Sequence, residues 1–433
     1  MLHSSRLQQV ASLLLLIMAL SSFLHVMIPS LPLWFSGVST WLALGLLLVH
    51  LPWKPFKQFF MLTLAGITLL WIGWWHGASL NWHAIVLQNN GLISLLYGVG
   101  FLRLITLATQ DESRELPQGR PAFLQTLLGV HVLGAVINMS ILVLMAERLH
   151  LHNALSKKAV IVLNRGFSMA AFWSPFFAAM AVALTYAPQA SLSSVVITGL
   201  VLTGVAMLIT LVELGGYKLD EVENFRGYPV HLSSLIVPSL LAIVVLVLHY
   251  ALPTIPVLTI ISITAIVLSI GFVIYKQPLQ AVTIINTHVF TSAQRMAREL
   301  SLFMGAGVLS IGVQVLFSTL HEWHPLNSFG GWQASLVLAI AIVVSITGVH
   351  PVVSIAVIGT LVQPLHPDPT VLAIVCLSIW SLGVVASPFS GVNTVLGSQF
   401  QVKAMDLISG NIRYVMIMWL CISALFFLLL GKG

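Results

Sequence analysis

Charge is what this sequence lacks. Only 7% of its 433 residues are Asp, Glu, Lys or Arg, whereas 58% are hydrophobic; a soluble domain has about a quarter of its residues charged. That balance excludes an ordinary water-soluble protein. Acids are the scarcer sign, 12 against 18 Lys and Arg, and none is expected at mid-membrane depth, which argues against a carboxylate proton relay. Cysteine is nearly missing too. Cys376 and Cys421 both fall inside apolar runs, so they frame neither a disulfide nor a metal site and read as small core residues. Nothing in the chain resembles an ATP-binding loop or a catalytic motif. The formal net charge of +6 comes from cations in short loops rather than from a basic stripe. It therefore points to the positive-inside bias of a membrane protein and not to a nucleic-acid partner.

What is present is a series of apolar runs, mostly about 18 to 25 residues long, suited to helices crossing about 30 Å of hydrocarbon. The fold class expected is all-α, a polytopic membrane protein. The start of the chain, with Arg6 ahead of an apolar run from Val10 to Ile28, reads as an uncleaved first helix over 1–28. The loop at Pro29 to Pro32 is uncharged, whereas the next holds Lys54 and Lys57, which places the N-terminus in the cytoplasm. Trp71, Trp74, Trp75 and Trp82 read as an outer aromatic belt, with a sugar-stacking platform as the alternative. An uncharged connection then reaches Asn90, and a fourth helix is expected over 91–108.

Loop charges next force a count. The run 121–146 has basic loops on both flanks, with Arg120 before it and Arg148, Lys157, Lys158 and Arg165 after it. One crossing cannot put both flanks on one side, so a re-entrant hairpin entered from the cytoplasm is expected, turning near Gly134 to Asn138. The run 332–362 has no basic residue on either flank and is by the same argument a hairpin entered from outside, turning near Gly348 to Pro351. Each hairpin is followed by a run broken at a Ser-Pro-Phe: Ser174-Pro175-Phe176 and Ser387-Pro388-Phe389. Proline removes a backbone donor and clashes with the preceding turn, so both helices should break there.

The expected layout is about 11 transmembrane helices plus two re-entrant hairpins in two inverted-topology repeats. The first repeat occupies 29–213 and the second 231–433, with a cytoplasmic linker over 214–230. The stretch 280–298 is expected to lie as an amphipathic segment at the inner surface, ahead of a separate crossing helix. Paired interruptions at matching places in two halves are a sequence-level pointer to a transporter's binding site.

The candidate site residues are the polar side chains at those interruptions: Asn138, Ser140, Ser174, Ser387, His350, Asn393 and Thr394. Broken helices and hairpin tips leave backbone N–H groups whose positive ends suit an anion, and carbonyls that suit a cation. Na+ near Asn138, Ser174, Ser387 and Asn393, or a proton carried by His350, are the two readings of a coupling ion. No other cofactor is called for. Each residue has a plainer alternative: His350 or Asn138 closing its own hairpin, and the serines bonding freed backbone beside their prolines. Glu147, Arg148 and Arg165 read as a surface ion-pair cluster, with substrate steering as the alternative.

The layout, with the tips Asn138-Met139-Ser140 and Val349-His350-Pro351, the two Ser-Pro-Phe breaks and Gly391-Val392-Asn393-Thr394 after the second, resembles the ion transporter superfamily, which includes divalent-anion/sodium symporters and arsenite permeases. In the symporters the tips carry Ser-Asn-Thr, from which both tips here depart. The resemblance implies that hairpins and broken helices form a mobile domain, that helices one to four and seven to nine form a scaffold, and that two chains pair through their scaffolds as a homodimer. It implies elevator-type, ion-coupled transport of a small anionic solute, a carboxylate or inorganic oxyanion, across a bacterial-type inner membrane. No enzymatic activity is expected. The competing class is a membrane-embedded glycan- or lipid-processing enzyme, for which His321-Glu322-Trp323-His324 is the candidate polar loop.

Overall fold

The computed structural model describes residues 6–107, 116–137, 139–150, 155–216, 222–228, 236–320 and 326–430. Among them the regular structure is helical, and the one extended pairing is a bridge between Gln118 and Arg226. Hydrocarbon offers no partner for backbone N–H and C=O groups, so spanning segments must satisfy them internally. Among the described residues eight helices are long and apolar enough to cross a membrane. The chain is thus a helical, multi-pass membrane protein.

In chain order the helices begin with α1 (Arg6–Met27), α2 (Trp34–Leu48), α3 (Trp53–Trp75), α4 (Trp82–Leu87), α5 (Asn90–Gly100) and α6 (Arg103–Leu107). There follow α7 (Gly119–Ile137), α8 (Met139–His150), α9 (Lys157–Ser168), a 3-10 turn at Met169–Phe172, α10 (Ala178–Tyr186) and α11 (Leu192–Gly215). The second half opens with α12 (Ile236–Ala251), α13 (Val257–Lys276) and α14 (Ala281–Phe317). It closes with α15 (Gly331–Ile346), α16 (Pro351–Val362), α17 (Pro369–Ala386), α18 (Gly391–Phe400) and α19 (Ala404–Leu430). Two compact units result, each drawing on both halves: Met1–Gln110 with Leu241–His324, and Asp111–Leu240 with Pro325–Gly433.

The first unit is built on glycine contacts between α3 and α14. A Cβ at Gly66 would lie 2.6 Å from the Val308 carbonyl oxygen, and one at Gly312 would lie 2.4 Å from the carbonyl oxygen of Gly66. Only hydrogen at these positions lets the two backbones touch, the usual device where helices meet in lipid. Two expectations are corrected here. The stretch 280–298 is not a separate surface segment but the first half of α14, one continuous helix of 37 residues. Ser12 holds it to α1, donating to the Phe290 carbonyl at 3.1 Å and accepting from the Ala293 amide at 3.2 Å. The connection before Asn90 is likewise helical. It contains α4, and the break between α4 and α5 falls at Asn89, in the left-handed region at φ 56°. There Asn89 donates to the Phe303 carbonyl at 2.7 Å, and Asn90 accepts from the Ser36 hydroxyl at 2.6 Å. Trp71, Trp74, Trp75 and Trp82 are all exposed on this unit.

In the second unit, residues 222–228 are not a free tether. Gly119 donates to the Phe225 carbonyl, Gly227 donates to the Pro117 carbonyl, and Tyr228 donates to the Thr126 hydroxyl. Phe225 is buried edge-on against Phe123 of α7. This part of the expected linker therefore packs along the start of α7.

Candidate functional site

Two helical pairs and two broken helices make up the heart of the second unit. In the first pair, a Cβ at Gly134 in α7 would lie 3.7 Å from the Ile141 side chain in α8. Seven residues of continuous helix would separate them by about 10 Å along the axis, so the chain reverses between them. In the second pair the reversal uses Gly348 at φ 104°, which only glycine adopts freely. His350 then caps α16, its Nδ1 accepting the Val352 amide at 3.2 Å while its ring packs edge-on against Trp380. Because Nδ1 accepts, the ring proton of the neutral imidazole is on Nε2.

The Ser-Pro-Phe sites break their helices as expected, and they do so in the same way. Ser174 N donates to Ala170 O and Ser387 N to Gly383 O, each at 2.9 Å. Each serine hydroxyl accepts the amide of its phenylalanine, at 3.2 Å from Phe176 and 3.3 Å from Phe389. Each serine carbonyl accepts the amide three residues on, Phe177 and Ser390, at 3.3 Å. Proline supplies no N–H, the serine side chain takes over one orphan donor, and a new helix starts.

Each pair closes on a break. Ser174 donates its hydroxyl to the Ala135 carbonyl of α7. His131, also in α7 and buried, accepts from the Trp173 indole at 3.1 Å and reaches the Gly166 carbonyl through Nδ1 at 3.2 Å. On the other side, a Cβ at Gly383 of α17 would lie 2.7 Å from the Pro351 ring and 2.8 Å from the Ser345 hydroxyl. Glycine there admits both arms of the second pair. A Cβ at Gly348 would lie 2.8 Å from the Phe389 ring, and one at Gly391 would lie 2.9 Å from the Met139 methyl. The tips of both pairs therefore meet the second break, where the N-termini of α8 and α18 adjoin.

The two breaks differ in exposure. Phe176 is 2% exposed but Phe389 is 64% exposed, and Gly391 and Thr394 are open beside it. Thr394 donates to the Phe389 carbonyl at 3.3 Å. Asn393 is buried and faces inward. Its amide nitrogen reaches the carbonyls of Ser387 at 2.8 Å, Val384 at 3.3 Å and Val385 at 3.5 Å, and its oxygen accepts from Asn164 of α9. Asn393 thus serves the acceptors that the break in α17 frees. Ser174 and Ser387 are buried and engaged with backbone in the same sense. Asn138 and the side chain of Ser140 lie outside the described residues, as does the whole of His321 to His324.

One expectation of a surface cluster is overturned. Arg165 is 1% exposed, not a surface residue. Its guanidinium donates to Glu213 at 2.6 Å, to the Asn411 side chain at 2.8 Å and to the Gly410 carbonyl at 2.7 Å, and it lies 4.4 Å over the Tyr414 ring. Every face of the fork is used, so Arg165 ties α9 to α11 and α19 rather than meeting solute. His131, Asn164 and Ser168 escaped sequence reasoning because they sit inside helices rather than at interruptions. Their spacing was the available signal: Asn164 and Ser168 are polar residues one turn apart in an apolar run. Among the described residues no three His, Cys, Asp or Glu side chains gather as a metal centre would need.

No protein-family model matches this chain, and no curated protein matches it.

Proposed function

We propose that the protein is a secondary active transporter of a small anionic solute, a carboxylate or inorganic oxyanion, driven by a coupling ion. The observation that carries this reading is the pair of Ser-Pro-Phe breaks with one shared set of hydrogen bonds, each covered by a helical pair that reverses. Helices interrupted at matching positions of two halves mark transporter sites. The exposed second break, at Phe389, Gly391 and Thr394, is the side on which solute binds. The N-termini of α8 and α18 bring a positive helix end there.

The finer layout belongs to the same reading: about 11 crossings and two re-entrant hairpins in inverted repeats, with the N-terminus in the cytoplasm of a bacterial-type inner membrane. In its favour, α8 and α16 have 12 residues each, about 18 Å, too short for about 30 Å of hydrocarbon. The division into two units, one holding the pairs and breaks, supports an elevator-type movement of that unit in a homodimer, and the ion transporter superfamily as its kind.

The test is uptake into proteoliposomes across carboxylates, phosphate, sulfate and arsenite, each under a Na+ or a H+ gradient. We expect one solute class to accumulate. Thr394→Ala, at an exposed position, should weaken that accumulation, while alanine at His321 and His324 leaves it intact. If no solute accumulates and a lipid- or glycan-processing activity instead depends on His321 and His324, the transporter reading fails.

A further inference from the structure

The amides of Asn393 and Asn164 fix one another's orientation, and one oxygen is left over. The Asn393 nitrogen faces three carbonyls, those of Ser387, Val384 and Val385. A flip would set its oxygen against acceptors, so the nitrogen must stay. The Asn393 oxygen therefore faces Asn164, and the Asn164 nitrogen must donate to it. The Asn164 oxygen points elsewhere, fully buried, and has no partner among the described residues. A buried acceptor left unpaired is destabilising.

One turn on, on the same face of α9, Ser168 is 1% exposed and its hydroxyl also lacks a partner among the described residues. A hydroxyl alone would mean little, since it rotates and can bond the preceding turn. Beside an amide oxygen with fixed orientation it supplies a second neutral donor atom. The side chain of Ser381 in α17 covers this turn, donating to the Ser168 carbonyl at 2.9 Å. The adjacent cation does not compete for the place, because Arg165 is consumed by Glu213, Asn411 and Gly410. Counted from the serine of the other break, the position matching Asn164 holds the buried Leu377, so the architecture does not need an amide there, whereas the position matching Ser168 holds Ser381.

We infer that Asn164 and Ser168 hold a small monovalent cation of the Na+ class inside the second unit. The donor set is hard and uncharged: an amide oxygen and a hydroxyl, with no carboxylate. It therefore suits a singly charged ion better than Ca2+ or Mg2+, which carboxylates bind, or a transition metal, which nitrogen and sulfur bind. The place lies within α9 and adjoins the second break through Asn393. Through the Asn164–Asn393 contact, the ion would bear on the start of α18, where the second break opens. The inference deepens the transport reading by naming its coupling ion, but the binding itself does not require transport.

The experiment is thermal unfolding of the purified full-length protein in NaCl, KCl and choline chloride at equal ionic strength, with 22Na+ binding as a second readout. We expect a saturable rise of the midpoint specific to NaCl. Ser168→Ala should weaken the apparent Na+ affinity about tenfold, roughly the worth of one contact of 1.4 kcal/mol, and Asn164→Ala should abolish the response. Ser335→Ala, which removes a comparable buried hydroxyl bonded to Ser423 at 2.6 Å, should leave it intact. Should Asn164→Ala fail to fold, Ser168→Ala decides. No Na+-specific shift in the wild type, or an unchanged shift in Ser168→Ala, overturns the site. A Na+ shift lost in Ser168→Ala without any solute uptake keeps the site and removes the transport reading, whereas uptake driven by H+ alone with no Na+ shift does the reverse.

Discussion

Ser381 donates its hydroxyl to the carbonyl of Ser168 at 2.9 Å, and each of these serines stands six residues ahead of the serine of its own break. The two broken helices therefore cross at equivalent points, fully buried. Ser381→Ala removes the bond and leaves the Ser168 carbonyl short of one donor. Its expected cost is about 1 kcal/mol, read as a lower unfolding midpoint, whereas Ser318→Ala, at an exposed helix end, should change little.

At Gly383 the second helical pair meets α17 with no room for a methyl group. Gly383→Ala should destabilise by about 1–3 kcal/mol through overpacking against Pro351 and Ser345. Gly204 of α11 has nothing within 4 Å of its would-be Cβ, so Gly204→Ala should be neutral or gain up to about 1 kcal/mol. Parallel unfolding curves check both. Equal effects at the two sites would remove the packing explanation.

Arg165 and Glu213 form a buried ion pair with side-chain exposures of 1% and 12%. Arg165→Ala leaves the carboxylate facing Arg413 alone, 3.5 Å away and itself exposed. A loss of about 3–5 kcal/mol is expected. Replacing both partners together, Arg165→Met with Glu213→Met, should recover most of it, because no uncompensated charge remains. A double mutant as unstable as Arg165→Ala would show that the Asn411 and Gly410 contacts dominate.

His350 offers a clean separation of structural and functional roles. Asparagine keeps an acceptor at the cap of α16, so His350→Asn should be nearly as stable as the wild type, while His350→Ala should lose about 1 kcal/mol. If uptake survives in the asparagine variant, no proton travels on His350; if uptake is lost without loss of stability, the imidazole itself is needed.

The proposed topology is checked by labelling. In a background of Cys376→Ala and Cys421→Ala, single cysteines at Arg120 and His150 flank the first pair, and ones at Asn327 and Gln363 flank the second. An impermeant maleimide should reach the first two from one face of the membrane and the last two from the other. Reagent reaching Arg120 and His150 from opposite faces would turn the first pair into a full crossing.

Composition determined that this chain is embedded in a bilayer, because a chain with so little charge has no other solvent, and apolar runs of about 18 to 25 residues made its crossings helices rather than the shorter alternating strands of a barrel. The prolines at 175 and 388 likewise settled where two helices break, since a missing N–H acts locally. Partnership at a distance was not legible. Arg165 looked like a surface cation until Glu213, Asn411 and Gly410, far away in sequence, closed around it. The stretch 280–298 looked like a surface helix because its polarity was visible while its packing against Ser12 was not. Asn164 lay in an unremarked apolar run, and only the fold set it against Asn393 and left one of its oxygens facing the core. Local chemistry fixes where a helix can form and where it must stop, but which buried polar atom goes unpaired depends on every neighbour that the tertiary structure brings to it.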